Sequence, residues 1–311
     1  MSEFRQNPIS KDWTIVSIGR KERPVSVGPK SASGRCPFCV GNEDLAPTEV
    51  YRLPVGSAKW KTRVIPNKYP ITDFHEVIIH SPDHEKDINE LSLEQVKLVL
   101  RTYKDRYNFY KNQRHDFYVH IYNNAGKEAG ASIRHPHSQL VVLNQIPEEV
   151  AEEIKGAKDF FERKRVCPYC DLLKKEIGSK EGVVLESDFF LVLAPFESEW
   201  PYEITMFPKK HQPDFGRTSN EELLDLASVL QQTLKAYNKV LSSPDRNFWI
   251  HSLPIRVDEP EAQYYHWHLD LIPRIKTLGG LELGAGIMVD DRVGPEEAAR
   301  ELREALSENS E

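Results

Sequence analysis

The stretch RHPHSQLVVL, Arg134 to Leu143, sets two histidines and a glutamine at alternate positions ahead of an apolar run. Successive side chains of a strand point to opposite faces, so His135, His137 and Gln139 share one face while Pro136 and Ser138 share the other. The motif has an echo: HWHLDLIP begins at His266, and His135/His266 and His137/His268 are both 131 residues apart. The same offset joins Cys36 in CPFC to Cys167 in CPYC. It also aligns DFYVHIY (Asp116 to Tyr122) with NFWIHSL (Asn247 to Leu253), each alternating as a half-buried strand does.

Shifted by 127, EVIIHSPDH ending at His84 matches EITMFPKKH ending at His211. Between these strands each half carries a helical stretch opened by a capping-box pattern, SLEQ at Ser92 to Gln95 and SNEE at Ser219 to Glu222. Each half therefore runs CxxC, strands, His, long helix, strand, HxH, strand. A period of this length is too long for a solenoid and implies tandem duplication of one α+β domain, mostly antiparallel sheet flanked by helices. Residues 1–150 form the first half and 151–311 the second, with the joint near the acidic, helical PEEVAEEIKGAKDFFERKR before Cys167.

Composition narrows the class. At 311 residues, 39% hydrophobic and 29% charged, with no low-complexity tract, the chain reads as ordinary globular protein of about two domains. A net charge of -7 argues against general nucleic-acid binding, which needs clustered Lys and Arg. No apolar stretch approaches the ~20 residues of a membrane span, and MSEFRQNPISKDW lacks the apolar centre of a signal peptide, so a cytoplasmic location is expected.

The four cysteines fall as two CxxC pairs, which in a cytosolic chain are metal ligands or redox dithiols before they are disulfides. Zinc takes tetrahedral Cys and His ligands. The repeat supplies two sets of four: Cys36, Cys39, His84 and His135, then Cys167, Cys170, His211 and His266. Reduced thiols or a thioredoxin-like motif are the plainer alternative. A site with four protein ligands has no open position, so zinc here is expected to be structural.

If His135 binds metal, His137 is left beside it with its ring fixed, and a positioned imidazole can act as a nucleophile. The alternatives make both histidines ligands, or His137 a satisfied polar residue. Upstream, YNNAGKEAGAS supplies Asn124, Gly126, Gly130, Ala131 and Ser132, small residues and amides that let backbone N–H groups approach a phosphate. The second half has the bulky, acidic LPIRVDEPEAQYY in that place, which favours His137 over His268 as the reactive residue.

RHPHSQ with NNAGKEAGAS before it, the early GRKERP, VIPNKYP, SPDH and the late KTLGGLELGAG resemble the galactose-1-phosphate uridylyltransferase family of the histidine-triad superfamily, in order, from about residue 4 to residue 305. The resemblance implies two histidine-triad-like halves sharing a continuous antiparallel sheet, usually as a homodimer. It implies UDP-glucose and galactose 1-phosphate as substrates, a covalent uridylyl-histidine intermediate and no organic cofactor. His137 matches the family's nucleophile, and Gln139 matches the glutamine that hydrogen-bonds the transferred phosphoryl oxygens. Arg20, Arg23, Asn124 and Ser132 match positions that hold the nucleotide phosphates, and Asn67 lies in the segment of the nucleoside pocket. Lys276 and Glu282 match residues that reach the hexose phosphate, commonly across the dimer interface.

Histidine-triad hydrolases carry a third histidine where this chain has Gln139, and a neutral amide cannot deliver a proton to a leaving group. That favours transfer between phosphate-bearing partners over hydrolysis. Three departures stand out. Ser138 replaces the glycine of many members and resembles the ADP-sugar phosphorylase branch, which hands AMP to phosphate. Met288 stands where the family has a hexose-contacting glutamine. Two Cys2His2 sets differ from members whose second site is an iron centre without cysteines. The rival of another class is a non-catalytic zinc-ribbon binding protein, against which the acidic balance and the unequal glycine content of the two HxH approaches speak.

Overall fold

The computed structural model describes residues 2–10, 12–17, 20, 35–113, 118–255 and 260–308. A short hairpin of β1 (Glu3–Gln6) and β2 (Trp13–Val16) stands apart from one ten-stranded antiparallel sheet. The first half of the sheet comes from β3 (Tyr51–Leu53), β4 (Thr62–Pro66), β5 (His75–Ile79), β6 (Tyr118–Ala125) and β7 (His137–Leu143), with α1 (Leu93–Gln113) between β5 and β6. After α2 (Glu148–Lys164) and α3 (Pro168–Ser179), the second half supplies β8 (Val183–Glu186), β9 (Phe190–Leu193), β10 (Ile204–Pro208), β11 (Arg246–His251) and β12 (His268–Pro273). Its long helix α4 (Asn220–Leu241) separates β10 from β11, and α5 (Gly280–Ala285) and α6 (Pro295–Ser307) follow β12.

The strand order, β3-β4-β5-β7-β6-β11-β12-β10-β9-β8, reads the same from either edge once each strand is exchanged for its counterpart. This is the tandem duplication expected from the repeat: two like α+β units joined edge to edge at β6 and β11, where Asn124 lies opposite Asn247. The long helices confirm the register. Val96, Val99, Tyr103, Tyr107 and Tyr110 form the buried stripe of α1, and Leu223, Leu226, Leu230, Leu234 and Tyr237 the stripe of α4, each pair 127 residues apart. Such 3-and-4 spacing turns one face of a helix to the sheet. Packed there with α6, the two stripes meet Val64, Ile78, Leu140, Met206, Phe248 and Leu269 from the strands.

Two details depart from the sequence expectation. Ile78 pairs with Ser138 and Met206 with Leu269, so within β5 and β10 the offset is 128, and it returns to 127 at His84 and His211. Asn123 pairs with Ser138 and Ile250 with Leu269, so β6 and β11 correspond at 127 and not at the 131 that aligned DFYVHIY with NFWIHSL. A one-residue slip turns every side chain to the other face, so the sheet fixes this register by burial. At the helix starts, only Ser219 forms a reciprocal capping box with Glu222. Ser92 Oγ accepts from the Gln95 N–H, but the Gln95 side chain donates instead to the carbonyls of Lys61 and His80 at 2.7 Å each.

One buried ion pair fastens α1 to β5. Arg106 donates Nε to Glu76 Oε2 at 2.9 Å and Nη2 to Oε1 at 2.6 Å, and the Tyr110 hydroxyl donates to Oε1 at 2.7 Å. Removing one partner of such a pair strands the other charge away from water. Glu76→Ala is therefore expected to lower the unfolding free energy by about 3–5 kcal/mol in a urea titration. A loss under about 1 kcal/mol would mean that Arg106 finds water instead.

Candidate active site and metal centres

The face of the sheet opposite α1 and α4 carries His137, Gln139 and the two Cys and His clusters. In the first half the CxxC turn, closed by Cys39 N–H donating to the Cys36 carbonyl, brings both sulfurs to the loop after β5 and the bend before β7. There Cys39 Sγ lies 3.2 Å from His84 Nδ1 and 3.6 Å from His135 Nδ1, with Cys36 Sγ 3.8 Å from His135 Nδ1. In the second half Cys167 caps α3, and Cys170 Sγ lies 3.5 Å from His211 Nδ1 and 3.8 Å from His266 Nδ1. All four donor atoms of each set fall within 4.8 Å of one another.

Both clusters fit a tetrahedral ion. Bond lengths of about 2.3 Å to sulfur and 2.0–2.1 Å to nitrogen put tetrahedral S and N ligands about 3.6 Å apart, the spacing seen. The tautomers agree. His135 donates Nε2–H to the Ser81 carbonyl at 2.9 Å, His266 to Pro208 at 2.8 Å and His211 to Ala262 at 2.7 Å. Each such bond leaves the Nδ1 lone pair facing the cluster and orients the ring. Burial also pushes His135 down to about 4, which keeps it a neutral ligand.

β7 begins at His137, so His135 occupies the bend before the strand rather than the strand itself. The His135 carbonyl accepts from His137 Nδ1–H at 2.9 Å, and Phe38 packs edge-on against the His137 ring at 5.2 Å between centroids. That tautomer puts the lone pair on Nε2. Gln139, on the same face, is oriented by a relay that sequence inspection missed. The Ile71 N–H donates to His75 Nδ1 at 3.1 Å, so the His75 proton sits on Nε2 and is donated to Gln139 Oε1 at 2.9 Å. Asn67 Nδ2 lies 3.3 Å from the same oxygen. With its oxygen engaged, Gln139 keeps its –NH2 group as the donor it can offer a ligand of the adjoining cavity.

Two cavities flank His137. One, of about 150 Å³, is walled by Leu45, Pro47 and Ile65 and includes Asn67, Ser132 and Gln139. The other, of about 140 Å³, includes Asn123, Asn124, Gly126 and Arg134, with the carboxylates of Glu85 and Asp87 also in its wall. Asn124 accepts from Asn247 Nδ2 at 2.8 Å, and the same Asn247 amide holds the Ala129 carbonyl at 2.9 Å, so β11 of the second half shapes the glycine loop of the first. Gly126 has φ +94 and Gly130 φ +81, left-handed values that favour glycine, and a Cβ on Gly126 would strike the Asp245 carboxyl. Arg20 donates to the Tyr69 carbonyl at 3.3 Å, on the rim of the first cavity. Arg23 lies outside the described residues. Lys276 and Glu282 pair with each other at 2.9 Å and line neither cavity of their own chain.

A larger cavity, about 580 Å³, covers the counterpart strands of the second half. Its wall includes Glu149, Glu153, Glu199, Glu203 and Asp270 but no lysine or arginine, a lining that repels phosphate. His268 there points Nε2 at Glu153 and Asp270, 3.7 and 3.5 Å away. Burial opposes its charge, yet those carboxylates raise it to about 9.

The duplicated sheet thus sets its candidate reactive groups in the first half and an acidic twin in the second. Residues 74–147 match the N-terminal domain of galactose-1-phosphate uridyl transferase and residues 153–310 its C-terminal domain. ADP-glucose phosphorylase of Arabidopsis thaliana is 32% identical over 97% of this chain and 92% of its own. Galactose-1-phosphate uridylyltransferase of Thermotoga maritima is 30% identical over 98% of both chains. The crystal structure of the Arabidopsis ADP-glucose phosphorylase with bound ADP-glucose superposes with a TM-score of 0.82 at 33% identity, covering 98% of this chain and 99% of the other. A uridylyltransferase structure gives 0.82 at 26% identity, covering 99% of each. The chain belongs to the galactose-1-phosphate uridylyltransferase family. No helix among the described residues is long and apolar enough to cross a membrane.

Proposed function

We propose that the chain transfers a nucleotidyl group between phosphate-bearing partners through a covalent intermediate on His137, with UDP-glucose as donor and galactose 1-phosphate as acceptor. The observation that carries this is the placement of His137: Nδ1–H is committed to the His135 carbonyl and the lone pair is on Nε2, beside a glutamine that offers N–H groups. In the first step Nε2 forms a bond to the α-phosphorus, and the bond from that phosphorus to the oxygen of glucose 1-phosphate breaks, the sugar phosphate leaving with the electron pair. In the second, a phosphate oxygen of galactose 1-phosphate attacks the same phosphorus and the P–N bond returns its electrons to Nε2. Positioning and charge stabilisation carry such transfers. Gln139, Ser132, Asn124 and the Gly130 turn, with Arg20 and Arg23, would hold the phosphates; Asn67 and the apolar wall would take the nucleoside.

A homodimer is part of this reading. Lys276 and Glu282 line neither of the cavities that flank His137, and Leu281, Leu283 and Ile287 beside them are 52%, 74% and 60% exposed. A second copy would supply that segment to the cleft. Each Cys2His2 cluster would hold one structural zinc, in halves parted near residue 150.

A second reading keeps the chemistry and exchanges the substrates. Ser138 and the 32% identity to an ADP-glucose phosphorylase favour ADP-glucose as donor and inorganic phosphate as acceptor. Incubation with radiolabelled UDP-glucose or ADP-glucose, followed by peptide mapping, separates the two. Uridylyl label on His137, discharged by galactose 1-phosphate, is the expected result; adenylyl label discharged by phosphate transfers the assignment to the second reading. Absence of label from both removes the covalent route.

A further inference from the structure

Behind His137, on the helix side of β7, sits a polar cluster in the middle of the apolar core. Ser138 Oγ lies 2.8 Å from His80 Nε2 and 2.5 Å from the Tyr103 hydroxyl, which is itself 3.1 Å from His80 Nε2. Asn123 Nδ2 donates to Ser138 Oγ at 3.2 Å and, with the same amide, to the carbonyl of His137 at 2.9 Å. His80, Tyr103 and Ser138 have no exposed surface and Asn123 only 2%. Burying four polar groups is costly, and hydrogen bonds among them recover only part of that cost, since His80 Nδ1 and Asn123 Oδ1 are buried with no hydrogen-bond partner among the described residues.

The second half serves as an internal control. At the offsets fixed by α4 and β12, Tyr103 corresponds to Leu230 and Ser138 to Leu269, both fully buried in the main core. His80 falls against Phe207 or Pro208, according to which of the two local offsets is used, and both are apolar. The fold therefore packs this layer with leucine where no nucleophile is needed. Only the half that carries His137 builds the layer from hydrogen-bonding groups. Burial holds His80 neutral, near 3, so the cluster brings no charge beneath the sheet.

We propose that His80, Tyr103, Ser138 and Asn123 are positioning residues for His137, an inference that rests on the nucleotidyl-His137 reaction. The peptide of His137 is gripped on both sides: its ring is tied to the preceding turn through the His135 carbonyl, and its own carbonyl is tied through Asn123 to a network anchored on α1. Together the two ties fix where Nε2 meets phosphorus, and small misplacements at that distance cost large factors in rate. Tyr103 and Ser138 are sealed from the cleft, Asn123 alone of the four reaching a cavity wall, so loss of their hydrogen bonds should slow the bonding step and leave binding alone.

The test is Tyr103→Phe and Ser138→Ala, each made singly, with His137 loading followed by quenched-flow mass spectrometry over a range of nucleotide-sugar concentration. The saturating rate should fall about tenfold in each variant, with half-saturating concentration within about twofold of the parent. Thermal stability should hold, since the twin half shows apolar packing to be tolerated. Rates within about twofold of the parent in both variants, a loss confined to half-saturation, or collapse of the fold in both would overturn the positioning role. A parent protein that acquires no nucleotide overturns the reaction and this role with it; normal loading in the variants overturns the role alone.

Discussion

His137→Asn is expected to abolish nucleotide transfer, by about 10⁴-fold or more, while leaving the fold and both metal centres in place. The substitution is chosen to spare everything but the chemistry. An asparagine amide can still donate to the His135 carbonyl that now accepts from Nδ1, and it removes little volume from beside Phe38. What it cannot do is form a bond to phosphorus, because an amide nitrogen has no available lone pair. Without that bond the two displacements must merge into a direct attack by one phosphate on another. The matched substitution in the twin half, His268→Asn, is expected to change loading by no more than about threefold, since distant sites act independently. Nε2 of His268 faces Glu153 and Asp270 in a cavity that rejects phosphate. Measuring both variants with the same labelled sugar nucleotide decides the matter. Retained transfer in His137→Asn, or equal loss in the two, would dismiss the assignment of the nucleophile to the first half.

The contrast between those histidines shows how far the chain could be read before its fold was known. A common offset in CxxC and HxH, with alternating strands between them, was enough to give the duplication and the antiparallel sheet, because metal ligands and alternating strands leave periodic marks in one dimension. That offset of 131, with 127 for His84 and His211, gathered both Cys2His2 sets. What it could not show are contacts between residues far apart in the chain with no motif of their own. His75 sets the orientation of Gln139 from 64 positions away, and Asn247 shapes the glycine loop from the opposite half. The one-residue change of offset between β5 and the His84 loop is likewise a property of strand pairing, where burial decides which face each side chain takes. The buried Tyr103 and Ser138 looked like ordinary members of a helix stripe and a strand, and their pairing is visible only when the two halves are laid over each other.

The two metal centres are expected to differ in what their loss does, although their ligands are alike. The purified protein should carry two zinc ions per chain by elemental analysis, with Cys39→Ser losing one and Cys170→Ser the other. Each loss should lower stability by several kcal/mol, less than the roughly 10–16 kcal/mol with which zinc folds an isolated finger, because the sheet here has a large core of its own. Their effects on transfer should part company. In the first half the ligand is His135, and the carbonyl of that residue is the acceptor that fixes the His137 ring. Freeing His135 from its ion releases the turn that sets the nucleophile, so Cys39→Ser should cost at least about 100-fold in the rate of His137 loading even at temperatures where the chain stays folded. In the second half the corresponding carbonyl, of His266, holds His268, which has no part in the transfer. Cys170→Ser should therefore lower the melting temperature and leave loading near the parent rate. Equal rates in the two variants would break the link between the first metal and the nucleophile, and a Cys39→Ser protein that keeps two zinc ions would remove Cys39 from the ligand set.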